Sequence, residues 1–267
     1  MKMRYYEGHE TVYQRMQEKG CHSWDEYLGQ AAGFDAFCLK SFLEDALLKS
    51  AFSDAHPLAL EVGCGTGPVC CFLAGKGFRV EGMDISPTAI IIAEREARAR
   101  GLKVTYSVGD VCRDDLEPQK YDLVVDGHCL HCIISGKDRR KALSGIRNAI
   151  RPGGYFWMDG MMANAATTFG ETGILDQEGV LWVRIQKPGQ FDLEKQIDGA
   201  TYVASRRIYR EPRLFEAELQ EAGFTVVWSE IKHSGCKGEP GSFRAICKVD
   251  KAKIEPGASP ESATPHP

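Results

Sequence analysis

The chain has 267 residues, 43% of them hydrophobic and 26% charged, with a formal net charge of −4. This composition is typical of a globular protein with one large domain or two small ones. A net negative charge gives no general basic field for holding nucleic acid by its phosphates, so no nucleic-acid partner is expected. No run reaches the roughly 18 apolar residues of a membrane span, and the first ten residues lack the apolar core of a secretory signal. We therefore expect no membrane partner and a cytoplasmic location.

Residues 1–56 precede the first predicted strand and are rich in aromatic side chains. Tyr6 and His9 fall early in this segment, and residues 34–48 have the spacing of an amphipathic helix. Two interpretations remain open. Residues 5–13 close over a ligand as a lid, or their aromatic side chains only pack a helix against the sheet. The sequence thus predicts an N-terminal helical segment whose role as a lid is undecided.

A short apolar run, residues 58–62, leads directly into a glycine-rich turn. The turn contains Gly63, Gly65 and Gly67, and an apolar segment that can open a helix follows it. Glycine lets the backbone turn sharply and lets a ligand approach it closely. Strand, glycine turn and helix in this order therefore predict a ligand over the first strand.

An acidic residue ends the next predicted strand, residues 78–84. Asp84 lies roughly 20 residues beyond the glycines, the spacing at which a carboxylate accepts hydrogen bonds from ribose hydroxyls. The glycine turn and Asp84 together predict a ligand that contains a nucleoside. Ser86 and Pro87 follow as the cap and first residue of a helix.

The stretch Glu61-Val-Gly63-Cys-Gly65-Thr-Gly67 resembles motif I of the class I S-adenosylmethionine-dependent methyltransferases, usually written E/D-x-G-x-G-x-G. Further stretches resemble later motifs of that family in the right order. They are Gly109-Asp110-Val111, Tyr121 to Asp126, and Arg151 to Tyr155. The resemblance covers residues 58–160, with weaker support to about residue 250.

This resemblance implies an α/β, Rossmann-like methyltransferase fold: a mostly parallel seven-stranded sheet with helices on both faces and an antiparallel last strand. It implies S-adenosyl-L-methionine as the cofactor, with S-adenosyl-L-homocysteine as its product. In the family, the positions of Asp84 and of Asp110 with Val111 contact ribose and adenine. The full set of expected cofactor-binding residues is Glu61, Gly63, Cys64, Gly65, Gly67, Asp84, Ile85, Asp110, Val111, Asp126 and Gly127.

Methyl transfer from a sulfonium is an in-line displacement from an already activated donor. Alignment and exclusion of water are therefore the main tasks of the protein. A general base is needed only where the acceptor carries a proton at the working pH. The candidates, at predicted strand ends or in the N-terminal segment, are His128, His131, Asp159, Tyr6 and His9. For His131 a second interpretation is open, in which the histidine only shapes the donor pocket.

The cluster from His128 to Cys132 contains two histidines and two cysteines, which are zinc ligands by type. Neighbouring residues on one short turn cannot easily converge on one ion, so no metal is expected. A thiophilic acceptor, such as a thiol or arsenite, remains an alternative. Without a secretory signal, the ten cysteines are expected to be reduced thiols.

Residues 160–210 are too long for an ordinary connection between a strand and a helix. Residues 180–185 and 200–209 have strand patterns, which predicts an inserted β-hairpin cap. Arg206 and Arg207 fall on opposite faces of the second strand, so at most one of them points inward. An inward arginine would suit an anionic acceptor.

The predicted organisation is a helical segment (1–56), a methyltransferase domain (57–250) that includes the cap, and a disordered tail (251–267). The predicted function is methyl transfer to a small metabolite, with an anionic one as an option and with S, N or O as the acceptor atom. Two alternatives remain: an NAD(P)-dependent oxidoreductase, whose glycine pattern would be G-x-G-x-x-G, and a non-catalytic module that binds a nucleoside. The oligomeric state is not predicted.

Overall fold

The structure is a computed structural model that describes residues 2–29, 33–234 and 238–250. The predicted disorder of the tail, 251–267, concerns residues outside these ranges. Helices in the described ranges are α1 (His9–Glu18), α2 (Trp24–Tyr27), α3 (Lys40–Lys49), α4 (Pro68–Gly75), α5 (Pro87–Ala99), α6 (Gly136–Ala149) and α7 (Pro212–Glu221), with a 3-10 turn at Leu130–Cys132.

Eleven strands lie in the same ranges and form two sheets. The strands are β1 (Leu58–Val62), β2 (Arg79–Asp84), β3 (Val104–Val108), β4 (Tyr121–Gly127), β5 (Ile150–Met162), β6 (Gly173–Leu175), β7 (Val180–Ile185), β8 (Glu194–Ile197), β9 (Ala200–Arg207), β10 (Thr225–Lys232) and β11 (Gly241–Lys248).

The main sheet has seven strands in the order β10-β11-β5-β4-β1-β2-β3. Strands β1 to β5 pair in parallel, and β11 is antiparallel to both β5 and β10. The predicted fold class is confirmed. The central strands β1 and β4 are almost entirely buried, which explains why their sequences are near-continuous apolar runs.

The sheet is covered on both faces, and β5 shows this most directly. Phe156 and Trp157 are neighbours in sequence, and neither is exposed. Because successive side chains of a strand point to opposite faces, they enter different layers. Phe156 belongs to the cluster that contains Leu143 of α6, and Trp157 to the cluster that contains Phe42 of α3. The two layers pack against opposite faces of the sheet and fix the positions of the carboxyl ends of its strands.

The inserted cap is a second sheet, antiparallel, in the order β6-β7-β9-β8. Strands β7 and β9 form the predicted hairpin pair. The prediction omitted β6 and β8, which flank that pair. At three and four residues, these strands are too short to show a period-2 pattern in sequence.

The predicted helix 34–48 is shorter than expected, because α3 begins only at Lys40. Phe34 is buried, but by contacts with Cys71 of α4 and Ala97 of α5. Tertiary packing thus accounts for the apolar residues before α3, and helical periodicity does not.

The N-terminal segment lies across the carboxyl ends of the parallel strands. Glu10 of α1 accepts hydrogen bonds from the hydroxyls of Ser86 (2.5 Å) and Thr88 (2.6 Å) at the start of α5. Asp192, in the cap, accepts a hydrogen bond from the backbone N–H of Tyr5 at 2.9 Å. The segment therefore bridges the main domain and the cap. Across the described residues, the helices are too short or too polar to pass through a bilayer.

Candidate functional site

The glycine turn after β1 has a backbone that only glycine adopts readily. Gly63, Gly65 and Gly67 have φ angles of +63°, +52° and +86°. A Cβ atom on Gly63 would lie 2.4 Å from the Cβ of Cys129, and one on Gly65 would lie 2.8 Å from the Tyr13 hydroxyl. Both conformation and space thus require glycine at the first two positions.

Asp84, at the end of β2, is anchored directly to this turn. One carboxylate oxygen accepts the Gly65 N–H at 2.8 Å, and the other accepts the Ser86 N–H at 2.9 Å. A carboxylate oxygen can accept a second hydrogen bond, so both oxygens of Asp84 remain available to ligand hydroxyls. Burial raises the pKa of Asp84, while these backbone hydrogen bonds and the nearby His9 act in the opposite direction.

Asp110, after β3, is bonded to the N-terminal segment. Its Oδ1 accepts the N–H of Cys112 at 2.9 Å, and its Oδ2 accepts the hydroxyl of Tyr6 at 2.9 Å. Burial and the neighbouring Asp110 raise the pKa of Tyr6, so this phenol stays protonated and donates. Tyr6 therefore lies directly against the position assigned to adenine.

Glu61 of β1 occupies the floor beneath the turn. Its Oε2 accepts hydrogen bonds from the backbone N–H and the thiol of Cys70, at 3.1 and 2.9 Å. Its Oε1 faces Gly127, where a Cβ would lie 3.1 Å from it. Burial raises the pKa of Glu61 to about 8. We call Glu61 to Gly67, with Asp84, the glycine wall.

These residues border a cavity of about 450 Å³ at the carboxyl ends of the parallel strands. That volume is within the usual range for small-molecule and cofactor sites. Sequence-predicted residues that line it are Tyr6, His9, Glu61, Gly63, Cys64, Gly65, Asp84, Ile85, Asp110, Val111, Gly127, His128 and His131. A wider depression of about 800 Å³, between α5 and the starts of β2 and β3, contains none of the predicted residues.

Three predicted residues do not line the cavity: Gly67, Asp126 and Asp159. Gly67 instead faces Tyr106 and Ala93, so close that a Cβ would lie 2.4 Å from the Tyr106 hydroxyl. Its role is to let the start of α4 pack against the sheet.

Asp126 turns inward and supports the chain after β4. Its Oδ1 accepts the backbone N–H groups of Cys129 (2.7 Å) and Leu130 (3.0 Å), and its Oδ2 is buried without a partner among the described residues. Burial raises the pKa of Asp126 to about 6. The side chain thus shapes the turn and does not line the cavity, and its cofactor contact stays a prediction.

Asp159 reaches the cavity only through His128. Its Oδ1 is 3.0 Å from the Nε2 of His128, and its Oδ2 accepts a hydrogen bond from the Nε of Arg244 at 2.8 Å. Burial opposes ionisation of Asp159, but His128 and Arg244 outweigh it and lower its pKa. Burial likewise opposes charging of His128, yet Asp159 raises the pKa of His128 above its usual value.

Arg244 was not among the predicted site residues, although one feature of the sequence pointed to it. It is the single charged residue in the run Phe243 to Cys247, which is otherwise apolar. A charged residue on a buried strand needs an ionic partner. Only the register of β11 against β5, which pairs Arg244 with Asp159, identifies that partner.

The turn after β4 and helix α1 contribute the side of the cavity that we call the His–Cys wall: His9, His128, Cys129, His131 and Cys132. The Nδ1 of His9 donates to the carbonyl of Tyr6 at 2.8 Å, and its Nε2 lies 3.5 Å from the Sγ of Cys132. Within the described ranges, no group of three or more His, Cys, Asp or Glu residues is arranged to hold a metal ion.

The cap adds one guanidinium to the cavity. Arg206 lines it, and no hydrogen bond or ion pair of its side chain is found among the described residues. Arg207, on the other face of β9, donates to the carbonyls of Ile134 (2.7 Å) and Glu178 (3.0 Å). The two arginines thus point in different directions.

The glycine wall fits S-adenosylmethionine on its own chemistry. The turn is a cradle that a Cβ atom would obstruct, and Asp84 has acceptor capacity for two hydroxyls. Asp110 offers a carboxylate to an exocyclic amine, and Glu61, whose raised pKa favours the protonated form near neutral pH, places a polar group beneath the turn. Carboxylates also favour a cationic ligand such as a sulfonium.

Comparisons with known proteins agree with this geometry. Residues 59–154 match the family model of a methyltransferase domain. The ajmaline N-methyltransferase of Rauvolfia serpentina is 34% identical over 120 residues, which are 44% of this chain and 37% of that protein. A ubiquinone biosynthesis O-methyltransferase of Burkholderia vietnamiensis is 27% identical over 107 residues, 40% of this chain and 45% of the relative. The matches therefore span less than half of either relative.

Solved structures extend the similarity of fold to most of the chain. A 1,6-didemethyltoxoflavin-N1-methyltransferase of Burkholderia thailandensis, bound to its substrate and S-adenosylhomocysteine, superposes with a TM-score of 0.60 at 18% identity. The superposition covers 92% of this chain and 89% of that one. A methyltransferase of Methanosarcina mazei gives a TM-score of 0.61 at 18% identity, over 81% and 99% of the two chains. The resemblance of fold thus includes regions well beyond the glycine turn.

Proposed function

We propose that the chain is a class I S-adenosylmethionine-dependent methyltransferase that transfers a methyl group to a small, anionic metabolite. The main support for this proposal is the position of Asp84. Its carboxylate is fixed to the glycine turn by the N–H groups of Gly65 and Ser86, and it borders the cavity with both oxygens able to accept ribose hydroxyls.

In the part of the cavity away from the glycine wall, where Asp25 and Glu239 also lie, the guanidinium of Arg206 favours an anionic acceptor. The guanidinium of Arg206 has no hydrogen-bond or ion-pair partner among the described residues, and arginine binds carboxylates in a bidentate manner. His9 and His128 both have a raised pKa, so they keep positive charge to a higher pH than an ordinary histidine. The raised pKa of each histidine comes from an anionic partner, Cys132 for His9 and Asp159 for His128, so Arg206 is the cation on which this argument rests. Both an N- and an O-methyltransferase are among the similar proteins, which supports a small acceptor and leaves its atom open.

The residues of the chain act mainly by binding and orientation. The cofactor supplies a methyl group already activated on a sulfonium. The glycine wall positions the donor, and Tyr6, bonded to Asp110, covers it against water. Asp159 orients the imidazole of His128. Where the acceptor carries a proton, neutral His128 takes that proton as the new bond forms. Where the acceptor enters as an anion, protonated His128 helps to bind it.

The donor half of the proposal is tested by isothermal titration of the full chain with S-adenosylmethionine and S-adenosylhomocysteine. The Asp84→Ala variant removes the ribose contacts, and binding should weaken by about 10- to 100-fold, since hydrogen bonds to charged groups contribute about 1.5–3 kcal/mol each. Asp115→Ala is the control, because Asp115 is exposed and lies outside the cavity. No binding of either ligand by the unmodified chain would contradict the proposed function.

The acceptor half is tested with a panel of small carboxylates and phenols, incubated with the donor and screened for a mass gain of one methyl group. Arg206→Gln should raise the KM of an anionic acceptor by about 10-fold or more, because one charge-assisted contact is lost. Arg207→Gln is the matched control and should leave KM unchanged. Tight donor binding without turnover across the panel would favour a non-catalytic binding module.

One observation supports a thiophilic acceptor as a second candidate. Five of the ten cysteines line the cavity: Cys38, Cys64, Cys112, Cys129 and Cys132. Arsenite and small thiols therefore belong in the same panel. If one of them is methylated faster than every carboxylate and phenol, the anionic organic acceptor is wrong.

A further inference from the structure

Cys132 and His9 form a pair that methyl transfer does not require. The Sγ of Cys132 lies 3.5 Å from the Nε2 of His9, although the two residues are 123 positions apart in sequence. His131 is the next residue along the turn, and its buried Nδ1 has no hydrogen-bond partner in the described part of the chain. The thiol, both histidines and Arg206 line the same cavity. The cysteine is therefore reachable by a small molecule and is surrounded by cationic or potentially cationic groups.

The electrostatics of this cluster favour a thiolate. Burial opposes ionisation of Cys132, but His131 and His9 outweigh it and bring the pKa of Cys132 well below its usual value. In return, Cys132 raises the pKa of His9 to about 9, against burial and the repulsion from Arg206. Asp84 and Tyr13 also face the pair, and the charge of Cys132 acts to raise the pKa of each.

Cys132 differs in this respect from the other cysteines in the described ranges. Burial raises the pKa of Cys38, Cys112 and Cys247 to about 12, and that of Cys64 and Cys71 to about 11. Thiolates, and not thiols, are the nucleophilic form of cysteine. Among the described cysteines, Cys132 is therefore the one expected to react at neutral or mildly acidic pH.

We propose that Cys132 is a nucleophilic site of the cavity that reacts covalently with small soft electrophiles bearing a carboxylate. The Arg206 guanidinium would bind the carboxylate while the Sγ attacks. With a haloacetate, the C–S bond forms as the carbon–halogen bond breaks, and halide leaves with the electron pair. With an α,β-unsaturated acid, sulfur bonds to the β-carbon, the π electrons move to the α-carbon, and the His9 imidazolium protonates that carbon. Neither reaction depends on methyl transfer.

Iodoacetate and iodoacetamide test this inference, because they alkylate by the same chemistry and differ in charge. The full chain is labelled with each reagent at pH 6.5, and modified peptides are quantified by mass spectrometry over time. Cys132 should be labelled first, at least about 10-fold faster than the exposed Cys38, since each unit of pKa changes the thiolate fraction about 10-fold. His9→Gln should slow labelling of Cys132 about 10-fold with both reagents.

The ratio of the iodoacetate rate to the iodoacetamide rate isolates the role of Arg206. Arg206→Gln should lower this ratio at Cys132 by about 5- to 10-fold through the loss of one charge-assisted contact. Arg207→Gln should leave it unchanged, because that side chain bonds to backbone carbonyls elsewhere. Thiolate absorbance near 240 nm, compared between the unmodified chain and Cys132→Ser, provides a second readout should His9→Gln fold poorly. Labelling of Cys132 no faster than Cys38, no absorbance difference at pH 6.5, or a ratio unaffected by Arg206→Gln would overturn the proposal.

Discussion

The glycine wall and the His–Cys wall face the same cavity but are built in different ways. In the glycine wall, the key contact is a hydrogen bond from the backbone N–H of Gly65 to the carboxylate of Asp84, 19 positions away in sequence. In the His–Cys wall, the contact of His9 with Cys132 joins side chains 123 positions apart. The supporting pair of Asp159 and Arg244 is 85 positions apart. The first wall is built from contacts between nearby segments, and the second depends on how distant segments of the chain meet.

Removing the ionic support of the His–Cys wall should have the largest effect. Arg244→Met leaves Asp159 buried with His128 as its remaining charged partner, and breaking a buried pair costs about 3–5 kcal/mol. Urea denaturation monitored by circular dichroism measures this loss. Arg213→Met is the control, since its ion pair with Glu211 is exposed and its loss should leave the free energy of unfolding almost unchanged. Equal effects of the two substitutions would contradict this account of the wall.

The glycine wall should be broken by a single methyl group. Gly65→Ala places a Cβ at a φ of +52° and 2.8 Å from the Tyr13 hydroxyl, so the turn and the N-terminal segment must both move. Donor affinity should fall at least about 100-fold, or about 2.7 kcal/mol, in isothermal titration.

The matched control for that substitution is Gly145→Ala in α6. Gly145 has ordinary helical backbone and open space around its Cβ position. This change should stabilise the fold by about 0.5–1 kcal/mol and leave donor affinity unchanged. If the Gly65→Ala variant binds S-adenosylmethionine as tightly as the Gly145→Ala variant, the glycine turn does not determine the affinity for the methyl donor.

The pair of His9 and Cys132 should make the free energy of unfolding depend on pH. The pKa of His9 is raised in the folded chain from 6.5 to about 9, so the contribution of His9 is lost as the pH rises through about 9. The pKa of Cys132 is lowered, so its contribution is lost as the pH falls, and the pair stabilises the fold most between pH 6.5 and about 9. A shift of this size corresponds to about 3 kcal/mol, counted once for the coupled pair. Unfolding measured between pH 6 and 10 should show this loss. The free energy of unfolding of the His9→Gln variant should change less with pH over that range. Parallel curves for the variant and the unmodified chain would show that the ion pair does not form.

Asp126 should give the smallest effect. In contrast to Arg244→Met, its substitution should stabilise the fold. Its folded pKa is raised from 3.8 to about 6, so the protonated form is favoured below pH 3.8 and that contribution disappears as the pH rises through 6. Asp126→Asn is neutral at every pH and keeps an oxygen for the N–H groups of Cys129 and Leu130. It should stabilise the chain by about 1 kcal/mol at pH 8 and less at pH 5, because the relief of about 3 kcal/mol of ionisation cost is offset by about 2 kcal/mol for a buried amide nitrogen at the position of the unpartnered Oδ2. A destabilisation that grows with pH would show that the ionised carboxylate is needed.

Much of the fold was predictable because, in the main domain, residue type over a short stretch of sequence indicates the helix or strand that forms there. Buried parallel strands must be apolar, helices must be capped, and Ser86 with Pro87 marks the start of α5 as observed. The cap and the start of α3 were less predictable. Strands β6 and β8 are too short to show a period, and Phe34 is buried by other elements and not by its own helix.

The same limit applies to individual residues of the site. Asp126 and Asp159 both occur where parallel strands end, and sequence position alone gives them equal access to the cavity. The first turns inward to cap the chain after β4, and the second is screened by His128. Arg206 and Arg207 were separated by strand alternation, but which of the two faces the cavity depends on how the cap is docked.

The sequence by itself determined the fold class and the glycine wall, because these rest on backbone conformation and on contacts between nearby segments. Glycine at a positive φ and a carboxylate one strand away can be recognised from residue type and spacing. Tertiary structure alone decided the pairing of His9 with Cys132, of Asp159 with Arg244, and the exposure of Arg206 to the cavity. Each of these depends on long-range packing, and its electrostatic consequences arise only once burial has removed the groups from water.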